Sequence, residues 1–398
     1  MTLDPAFRPN QWRLATAQLL SGVGIASGIA VGAVLVEQVS GSTVLAGFAQ
    51  TATVLGAALL AFPLSRLAFS QGRRRALGLG FALGALGALL IVAGVQLRQV
   101  VVMFAGLALL GSATASGLQA RYAATDLAPP NHRARAMSVV IWATTVGSVA
   151  GPQLSAPGDA VGRHFGLSEL VGPYLFSIVA FSLAALVALN MRHPARPLHE
   201  SDVHRDVSMA HCLSVARSHP QTALGMAAVV TGHMMMTSVM VMTPLHMHHN
   251  DQGLELVGIV ISSHILGMYG LSPLVGWATD RFGARMVIGI GMGIFALAFV
   301  GGILDAVGES HLARLIPALV LLGLGWSCTL IAGSSLVAQS TEPELRMPMQ
   351  GTVDTFMNFG AAGITAVSGS VLAWQGFMGI NAMAFGVWLV LLLFWMPR

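Results

Sequence analysis

A series of long apolar segments constrains this chain more than any other feature. Each is long enough to cross the ~30 Å hydrocarbon core of a bilayer as a helix, which takes about 20 residues. We place twelve segments at 12–38, 42–65, 74–97, 100–122, 134–155, 170–190, 221–245, 254–278, 285–306, 312–338, 348–373 and 376–396. Only 9% of the residues are charged and 55% are hydrophobic, which excludes a soluble domain of this size. The sequence therefore predicts an all-α membrane protein with 12 transmembrane helices.

The distribution of arginine predicts the orientation of these helices. All twenty basic residues are arginines, and with a cytoplasmic N-terminus seventeen of them lie on the inner side. The exceptions are Arg98, Arg163 and Arg314. Because cytoplasmic loops are enriched in basic residues, we predict a multi-pass protein with both termini in the cytoplasm. The high pI follows from this topology, and no nucleic-acid partner is expected.

The longest polar stretch, residues 191–220, separates six predicted helices from the other six. It is rich in proline, histidine and charge, which predicts a cytoplasmic linker between the N-terminal half 1–190 and the C-terminal half 221–398. The halves also share a repeated loop, "PLSRLAFSQGRRR" at 63–75 and "PLVGWATDRFGAR" at 273–285. Duplicated six-helix halves around a linker are typical of major facilitator transporters.

The second copy of this loop resembles the signature loop of the major facilitator superfamily. The matching positions are Gly276, Asp280, Arg281, Gly283 and Arg285. The resemblance implies the major facilitator fold, and a gating loop whose acidic residue is held near a helix end at the cytoplasmic side. In the first copy, Ser65 and Phe69 stand where glycine and aspartate are usual, so its gating ion pairs are left open and a simple positive-inside turn is the alternative.

Methionine and histidine are concentrated on helices 7 and 8. The four candidate metal ligands are Met236, Met240, His264 and Met268, paired at a spacing of four residues on each helix. Thioether and imidazole suit Cu(I) and do not suit magnesium, calcium or manganese. Counting from the outer helix ends puts Met236 and His264 at the same depth, ~15 Å in, with Met240 nearer the outside and Met268 deeper.

Other groups on helix 7 leave alternatives open. A second stripe consists of Met235, Met242 and His246, and periodicity does not decide which stripe faces the pore. Methionine is also a common gap-filler, so packing is the competing interpretation. Four histidines are candidate accessory ligands: His233, His246, His248 and His249. The last three belong to "HMHHND", which is either a periplasmic entry for metal or a polar turn.

Within the superfamily, these motifs resemble those of the CcoA-type copper importers (the CalT family), which carry MxxxM on helix 7 and HxxxM on helix 8. Here the motifs are Met236-Thr-Ser-Val-Met240 and His264-Ile-Leu-Gly-Met268. The resemblance implies that these four residues bind copper, as an ion or a chelate, and import it across the inner membrane of a bacterium. It also implies a role in copper homeostasis and in the biogenesis of cbb3-type cytochrome oxidase, with a cytosolic copper chaperone as a possible partner.

Several other classes of function are disfavoured. The chain has no HExxH, no GxxxxGK[ST] and no nucleophile elbow, so no enzyme is expected. Copper is the expected substrate and no cofactor is expected. The alternative is a major facilitator carrier of a small organic molecule, such as a drug or the vitamin riboflavin. Asp354 lies near the cytoplasmic end of helix 11, which favours an interfacial position over proton coupling, and leaves the driving force open.

Overall fold

The computed structural model describes residues 5–126, 128–192, 207–250, 254–307 and 311–396. Fourteen α-helices are present in these ranges: α1 Phe7–Ser40, α2 Thr43–Gln71, α3 Arg73–Gln96, α4 Val100–Asp126, α5 Arg133–Gln153, α6 Ser155–His164, α7 Gly172–Leu189, α8 Met209–Ser218, α9 Pro220–His249, α10 Leu254–Ile265, α11 Ser272–Phe282, α12 Ala284–Val307, α13 Leu312–Ser340 and α14 Pro343–Trp395. A 3₁₀ turn, Pro130–His132, precedes α5. A π-helical turn, Leu266–Gly270, joins α10 to α11.

Each of the predicted spans overlaps one or more of these helices. The eighth span consists of α10, the π-helical turn and α11, whereas the eleventh and twelfth both lie in α14. Gly376 separates those two with φ 64° and ψ −162°, a backbone conformation that is readily accessible only to glycine. Within the described ranges, nine helices are long and apolar enough to cross a membrane. The short helix α8 lies inside the predicted linker.

The chain forms two compact units. The first contains Met1–Pro129, Ala143–Met209 and Gln350–Asn358, and the second contains Pro130–Trp142, Ala210–Met349 and Phe359–Arg398. Compared with the predicted halves, two segments are exchanged. The beginning of α5 belongs to the second unit, and a short part of α14 belongs to the first.

In the first unit, α4 contacts α1, α2 and α3, and α7 contacts α1 and α3. Small residues allow the closest of these approaches. A Cβ atom added to Gly87 of α3 would lie 2.5 Å from the backbone nitrogen of Leu110 and 2.6 Å from the carbonyl oxygen of Gly106, both on α4. Helix association in lipid depends on such close packing, because lipid tails are as apolar as leucine.

In the second unit, α13 is the central helix. It contacts α9, α10, the π-helical turn, α11 and α12, and most of its length is buried. Gly323 allows α10 to approach closely, since a Cβ there would lie 2.6 Å from the carbonyl oxygen of His264 and 2.7 Å from the nitrogen of Met268. The predicted ligands of helices 7 and 8 are therefore carried by α9, α10 and the π-helical turn, all of which pack on α13.

Candidate metal-binding site

One face of α9 packs against α13, and this face carries the first predicted methionine stripe. A Cβ on Gly225 would lie 2.8 Å from the carbonyl oxygen of Gly333 on α13, which identifies the contact face. Met236 follows Gly225 by eleven positions, or three helical turns, and so lies on the same face; its side chain is buried. Met240, one turn further along, is half-buried.

Other methionines of α9 point elsewhere. A Cβ on Gly360 of α14 would lie 2.9 Å from the sulfur of Met234, so Met234 faces α14. Met235 is fully buried on a third side of the helix, about 100° from Met236. The neighbours of α9 thus show that its methionines face different sides of the helix, which their spacing in the sequence alone did not reveal.

His264 is held in an orientation suited to a metal ligand. Its ring is completely buried, at 0% exposure. Nδ1 lies 2.8 Å from the carbonyl oxygen of Leu319 on α13. Because a carbonyl only accepts hydrogen bonds, the ring proton is on Nδ1 and Nε2 carries a lone pair. Nε2 has no hydrogen-bond partner in the described part of the chain. Metal-binding histidines characteristically donate their other ring N–H to a carbonyl or a carboxylate in this way.

The relative depths of the candidate ligands follow from the register along α13. His233 contacts Trp326, and α9 and α13 run antiparallel, so each step toward the C-terminus of α9 moves toward the start of α13. Met236 therefore comes about level with Gly323, and Met240 about level with Leu319, at 1.5 Å per residue. His264 packs at the level of Leu319, and Met268 packs at the level of Gly323. At each of these two levels, α9 contributes one predicted ligand and the segment from α10 to the π-helical turn contributes the other.

This register corrects the predicted depths. The sequence placed Met236 level with His264, whereas the structure places Met240 there and Met236 about one turn deeper. The reason is the length of α9. The helix continues to His249, four residues beyond the predicted end at 245, so every residue counted from that end lies one turn further in.

Trp326 of α13 connects the two ligand-bearing segments, and no sequence motif had indicated it. Its Nε1 donates a hydrogen bond of 2.9 Å to Nδ1 of His233 on α9. Its ring also meets Tyr269, which follows Met268 in the π-helical turn, edge-on at 5.5 Å between centroids. The Nδ1 lone pair of His233, a predicted accessory ligand, is therefore used by Trp326.

The other predicted accessory histidines lie near the C-terminal end of α9. Nε2 of His246 is 3.1 Å from Oδ2 of the buried Asp305, and its ring stacks on Phe377 at 4.2 Å. His248 and His249 belong to α9 by their backbone, and their side chains lie outside the described part of the structure. In the described ranges, no group of three or more His, Cys, Asp or Glu residues is placed to hold a metal.

The predicted gating loop lies at the other end of the second unit. Asp280 accepts 3.0 Å hydrogen bonds from the backbone nitrogens of Ala134 and Arg135, the second and third residues of α5. A carboxylate at a helix N-terminus is stabilised by the free N–H groups and the helix dipole there. Gly283 adopts φ 88°, which favours glycine.

The remaining residues of the gating loop have different surroundings. A Cβ on Gly276 would lie 2.7 Å from the carbonyl oxygen of Ala134, so glycine permits the close approach of α11 to α5. Arg285 donates to the carbonyl oxygen of Trp395 and lies over its ring. Arg281 is exposed.

The first copy of the loop has the same backbone but different ion pairs. Gly72 adopts φ 87° and ψ 157°, close to the conformation of Gly283. Arg73, which follows it, bonds through Nε to Oδ2 of Asp126 at 2.8 Å and through Nη2 to Gln350. The copy of the loop that lacks the usual aspartate therefore has an ion pair between Arg73 and Asp126, the last residue of α4.

Comparisons with known proteins agree on the family. The model of the Major Facilitator Superfamily matches residues 14–263 and 251–398. The uncharacterized MFS-type transporter YddS of Bacillus subtilis is 33% identical over 97% of this chain and 90% of its own length. The riboflavin transporter RfnT of Brucella anthropi is 26% identical over 97% of this chain and 95% of its own length.

Solved structures show the same fold. The crystal structure of the human organic anion transporter MFSD10 (TETRAN) matches with a TM-score of 0.76 and 17% identity, covering 98% of this chain and 100% of that one. At this identity the likeness concerns the fold alone. Taken with the matched family model, the multi-pass helical architecture and the signature loop, it shows that the chain belongs to the major facilitator superfamily of membrane transporters.

Proposed function

We propose that this transporter imports copper, as Cu(I), across the inner membrane of a bacterium, in the manner of the CcoA-type importers that its motifs resemble. The observation that carries the proposal is the state of His264. A wholly buried imidazole with its Nδ1 proton committed to Leu319 presents an Nε2 lone pair that no described residue uses. Burying an unpaired polar atom is costly, so a ligand for that nitrogen is expected.

The chemistry around His264 favours a soft cation over a hard one. Met240 comes to the same level on α13, and Met236 and Met268 come to the level one turn below. Thioethers bind Cu(I) and bind magnesium or calcium poorly. They are also uncharged, so the site adds no permanent charge to the membrane interior when it is empty. A Cu(I) ion can then exchange between two levels of neutral ligands on its way inward.

A second candidate function is transport of a small organic molecule such as riboflavin. The observation that favours it is the identity of 26% with the riboflavin transporter RfnT over nearly the whole of both chains. The aromatic pair formed by the buried Trp326 and the half-buried Tyr269 offers surfaces on which a planar ring system could stack. The two candidates differ in what the methionines do, because packing alone needs their volume and copper transport needs their sulfur.

The deciding experiment compares uptake of radioactive copper and of riboflavin by cells that lack their own importers. His264→Asn keeps an amide N–H near the position of Nδ1, which can still donate to Leu319, and removes the Nε2 ligand. Met236→Leu removes a sulfur at nearly constant volume. Met235→Leu is the matched control, since Met235 is also buried on α9 but faces another way. All variants are compared at equal membrane levels.

The proposal predicts copper uptake by the wild type, strong loss in His264→Asn and Met236→Leu, and near-normal uptake in Met235→Leu. Equal copper uptake by all four proteins would show that copper moves without these ligands. Riboflavin uptake without copper uptake would establish the second candidate, and the methionines would then serve only to fill space between the helices.

The cellular role proposed here is supply of copper to cbb3-type cytochrome oxidase. Deleting the gene in a host that makes this oxidase should lower its activity, and added copper should restore it. Unchanged oxidase activity at limiting copper would contradict this role while leaving copper transport itself open to the uptake assay. The proposed orientation, with both termini in the cytoplasm, is testable by reporter fusions at each end.

A further inference from the structure

Two polar side chains of α1 point at the same glycine of α4 in the first unit. A Cβ atom added to Gly117 would lie 3.2 Å from Oε1 and 3.3 Å from Nε2 of Gln18, and 3.5 Å from Oγ of Ser21. Glycine therefore leaves a small space on α4 that is bordered by an amide and a hydroxyl. We call these residues, together with Thr144 of α5, the polar cluster; all of them belong to the first unit.

The polar cluster contains two buried oxygens that no described residue uses. Nε2 of Gln18 donates a 2.9 Å hydrogen bond to Oγ1 of Thr144. Oε1 of Gln18 and Oγ of Ser21 have no hydrogen-bond partner among the described residues, and Ser21 is 0% exposed. By contrast, the hydroxyl of Ser27, also on α1, bonds to carbonyl oxygens of its own helix and contacts Ser177 at 3.2 Å. Because unpaired buried polar atoms are costly, the two free oxygens of the cluster require a partner from outside the chain.

The backbones of α1 and α5 touch at the polar cluster, so its groups are held in fixed positions. A Cβ on Gly147 would lie 2.3 Å from the carbonyl oxygen of Leu19, and one on Gly22 would lie 3.2 Å from the carbonyl oxygen of Thr144. Leu19 and Gly22 follow Gln18 by one and four positions. Groups that are already fixed lose little conformational freedom when a ligand arrives, which favours binding.

The polar cluster faces away from the lipid side of α5. Val146 and Val149 are 46% and 53% exposed, and such large apolar side chains mark the side that faces lipid. Thr144 lies two positions before Val146 and so about 200° around the helix from it. Gln18 and Thr144 are half-buried, which leaves part of each side chain accessible. Polar side chains of membrane helices face the bundle interior or a water-filled cavity. A solute in such a cavity can therefore reach the cluster.

The charge around the polar cluster decides which ligands fit. The cluster itself consists of an amide and two hydroxyls, all uncharged. On α4 the nearest charged residue is Arg121, one turn beyond Gly117, and it is paired with Asp354 of α14. These two side chains are 2% and 0% exposed, so Asp354 is not at an interface as its position in the sequence had suggested. A ligand with a net charge would bring an unbalanced charge into the membrane interior, so an uncharged ligand is favoured.

We infer that the polar cluster binds an uncharged organic group that carries a hydrogen-bond donor beside an acceptor, such as an amide or an imide. The donor of this group bonds to Oε1 of Gln18, and its acceptor takes the hydroxyl hydrogen of Ser21. Glycine at position 117 provides the room, because a side chain there would point at both oxygens. The inference does not rest on copper as the cargo. The group belongs either to an organic molecule that is itself carried or to an organic ligand that carries copper.

The test measures binding of small probes to the purified protein by saturation-transfer NMR, which detects weakly bound solutes. Nicotinamide carries an uncharged amide and nicotinate carries a carboxylate on the same ring, so this pair of probes isolates the effect of charge. Gln18→Leu and Ser21→Ala remove the free oxygens. Ser27→Ala is the matched control, because Ser27 is also a buried serine of α1 but its hydroxyl is already bonded. The melting temperature in detergent checks the fold of each variant.

We expect wild type and Ser27→Ala to bind nicotinamide alike and to bind nicotinate about tenfold more weakly. Gln18→Leu and Ser21→Ala should each bind nicotinamide about fivefold more weakly, the effect of one lost hydrogen bond. Gly117→Ala should weaken binding as well and still fold, because its nearest contacts, at 3.2 Å or more, are with side-chain atoms that can shift slightly. Unchanged nicotinamide binding in Gln18→Leu and Ser21→Ala, equal binding of nicotinate, or no binding to wild type would overturn the inference, and water would then be the partner of the two oxygens.

Uptake of radioactive copper by cells separates the two sources of the organic group. If Gln18→Leu loses both nicotinamide binding and copper uptake, copper travels with an organic ligand that the polar cluster holds. If Gln18→Leu loses nicotinamide binding alone, the organic molecule is a separate cargo. A wild-type protein that moves no copper would contradict the proposed function, and the nicotinamide result would still decide whether the polar cluster is a binding site.

Discussion

Substituting Gly323 by alanine tests the geometry of the candidate site without removing a ligand. The added Cβ would lie 2.6 Å from the carbonyl oxygen of His264 and 2.7 Å from the nitrogen of Met268. Both are backbone atoms, so no side-chain rotation relieves the contact. Ordinary van der Waals contact begins at 3.4 Å. The segment carrying both predicted ligands must therefore move away from α13 by roughly 0.7–0.8 Å, since interiors have little free space.

The expected cost follows from this displacement. Overpacking of this kind costs about 1–3 kcal/mol. Replacing glycine by alanine within a helix returns about 1 kcal/mol through helix propensity. The remaining strain, up to about 2 kcal/mol, acts on the segment that holds His264 and Met268. Because 1.4 kcal/mol corresponds to a factor of ten in affinity, we expect copper affinity to fall by as much as ~30-fold.

The assay is competition for Cu(I) between the purified protein and a chelator of known affinity, together with the melting temperature in detergent. Gly293→Ala on α12 is the matched control, because an added Cβ there meets nothing within 4 Å. It shares the gain in helix propensity and lacks the clash. If Gly323→Ala and Gly293→Ala bind copper equally well and melt alike, the close approach of α10 to α13 does not position the ligands, and the reasoning is refuted.

Three further substitutions test separate contacts. Trp326→Phe removes the donor to His233 and keeps an aromatic ring, so we expect a loss of about 1 kcal/mol, or several-fold in copper affinity, in the same competition assay; an unchanged affinity would mean that this hydrogen bond does not order the site. Gly283→Ala imposes the φ of 88° on alanine and should lower stability by about 1–3 kcal/mol, and a melting temperature equal to wild type would contradict that strain. Asp280→Asn keeps an acceptor oxygen but loses the negative charge at the start of α5. The melting temperature should therefore fall by the equivalent of about 1 kcal/mol and lose its dependence on salt concentration. A variant as stable as wild type would show that the charge contributes little.

The positions of the membrane helices were predictable from the sequence, because a bilayer imposes a minimum apolar length that can be counted along the chain. The glycine of the signature loop was predictable as well, because the φ of 88° at Gly283 is a local property of the turn. The contact of Asp280 with α5 is not local, because it joins residues 145 and 146 positions apart. Helix ends were less certain. The extra turn of α9 shifted the depth of Met236, because residues 246–249 include three histidines, which the sequence pattern had assigned to the loop after the helix.

Only the tertiary structure decided which surfaces meet. A helix in lipid is apolar on all sides, so its pattern does not reveal which face contacts protein. For this reason the choice of methionine stripe, the role of Trp326 between two segments and the proton position on His264 all depended on α13 as a shared neighbour. The pairing of Arg121 with Asp354 joins residues 233 positions apart. Charge in an apolar helix predicts that a partner exists, but only the folded chain determines which residue it is.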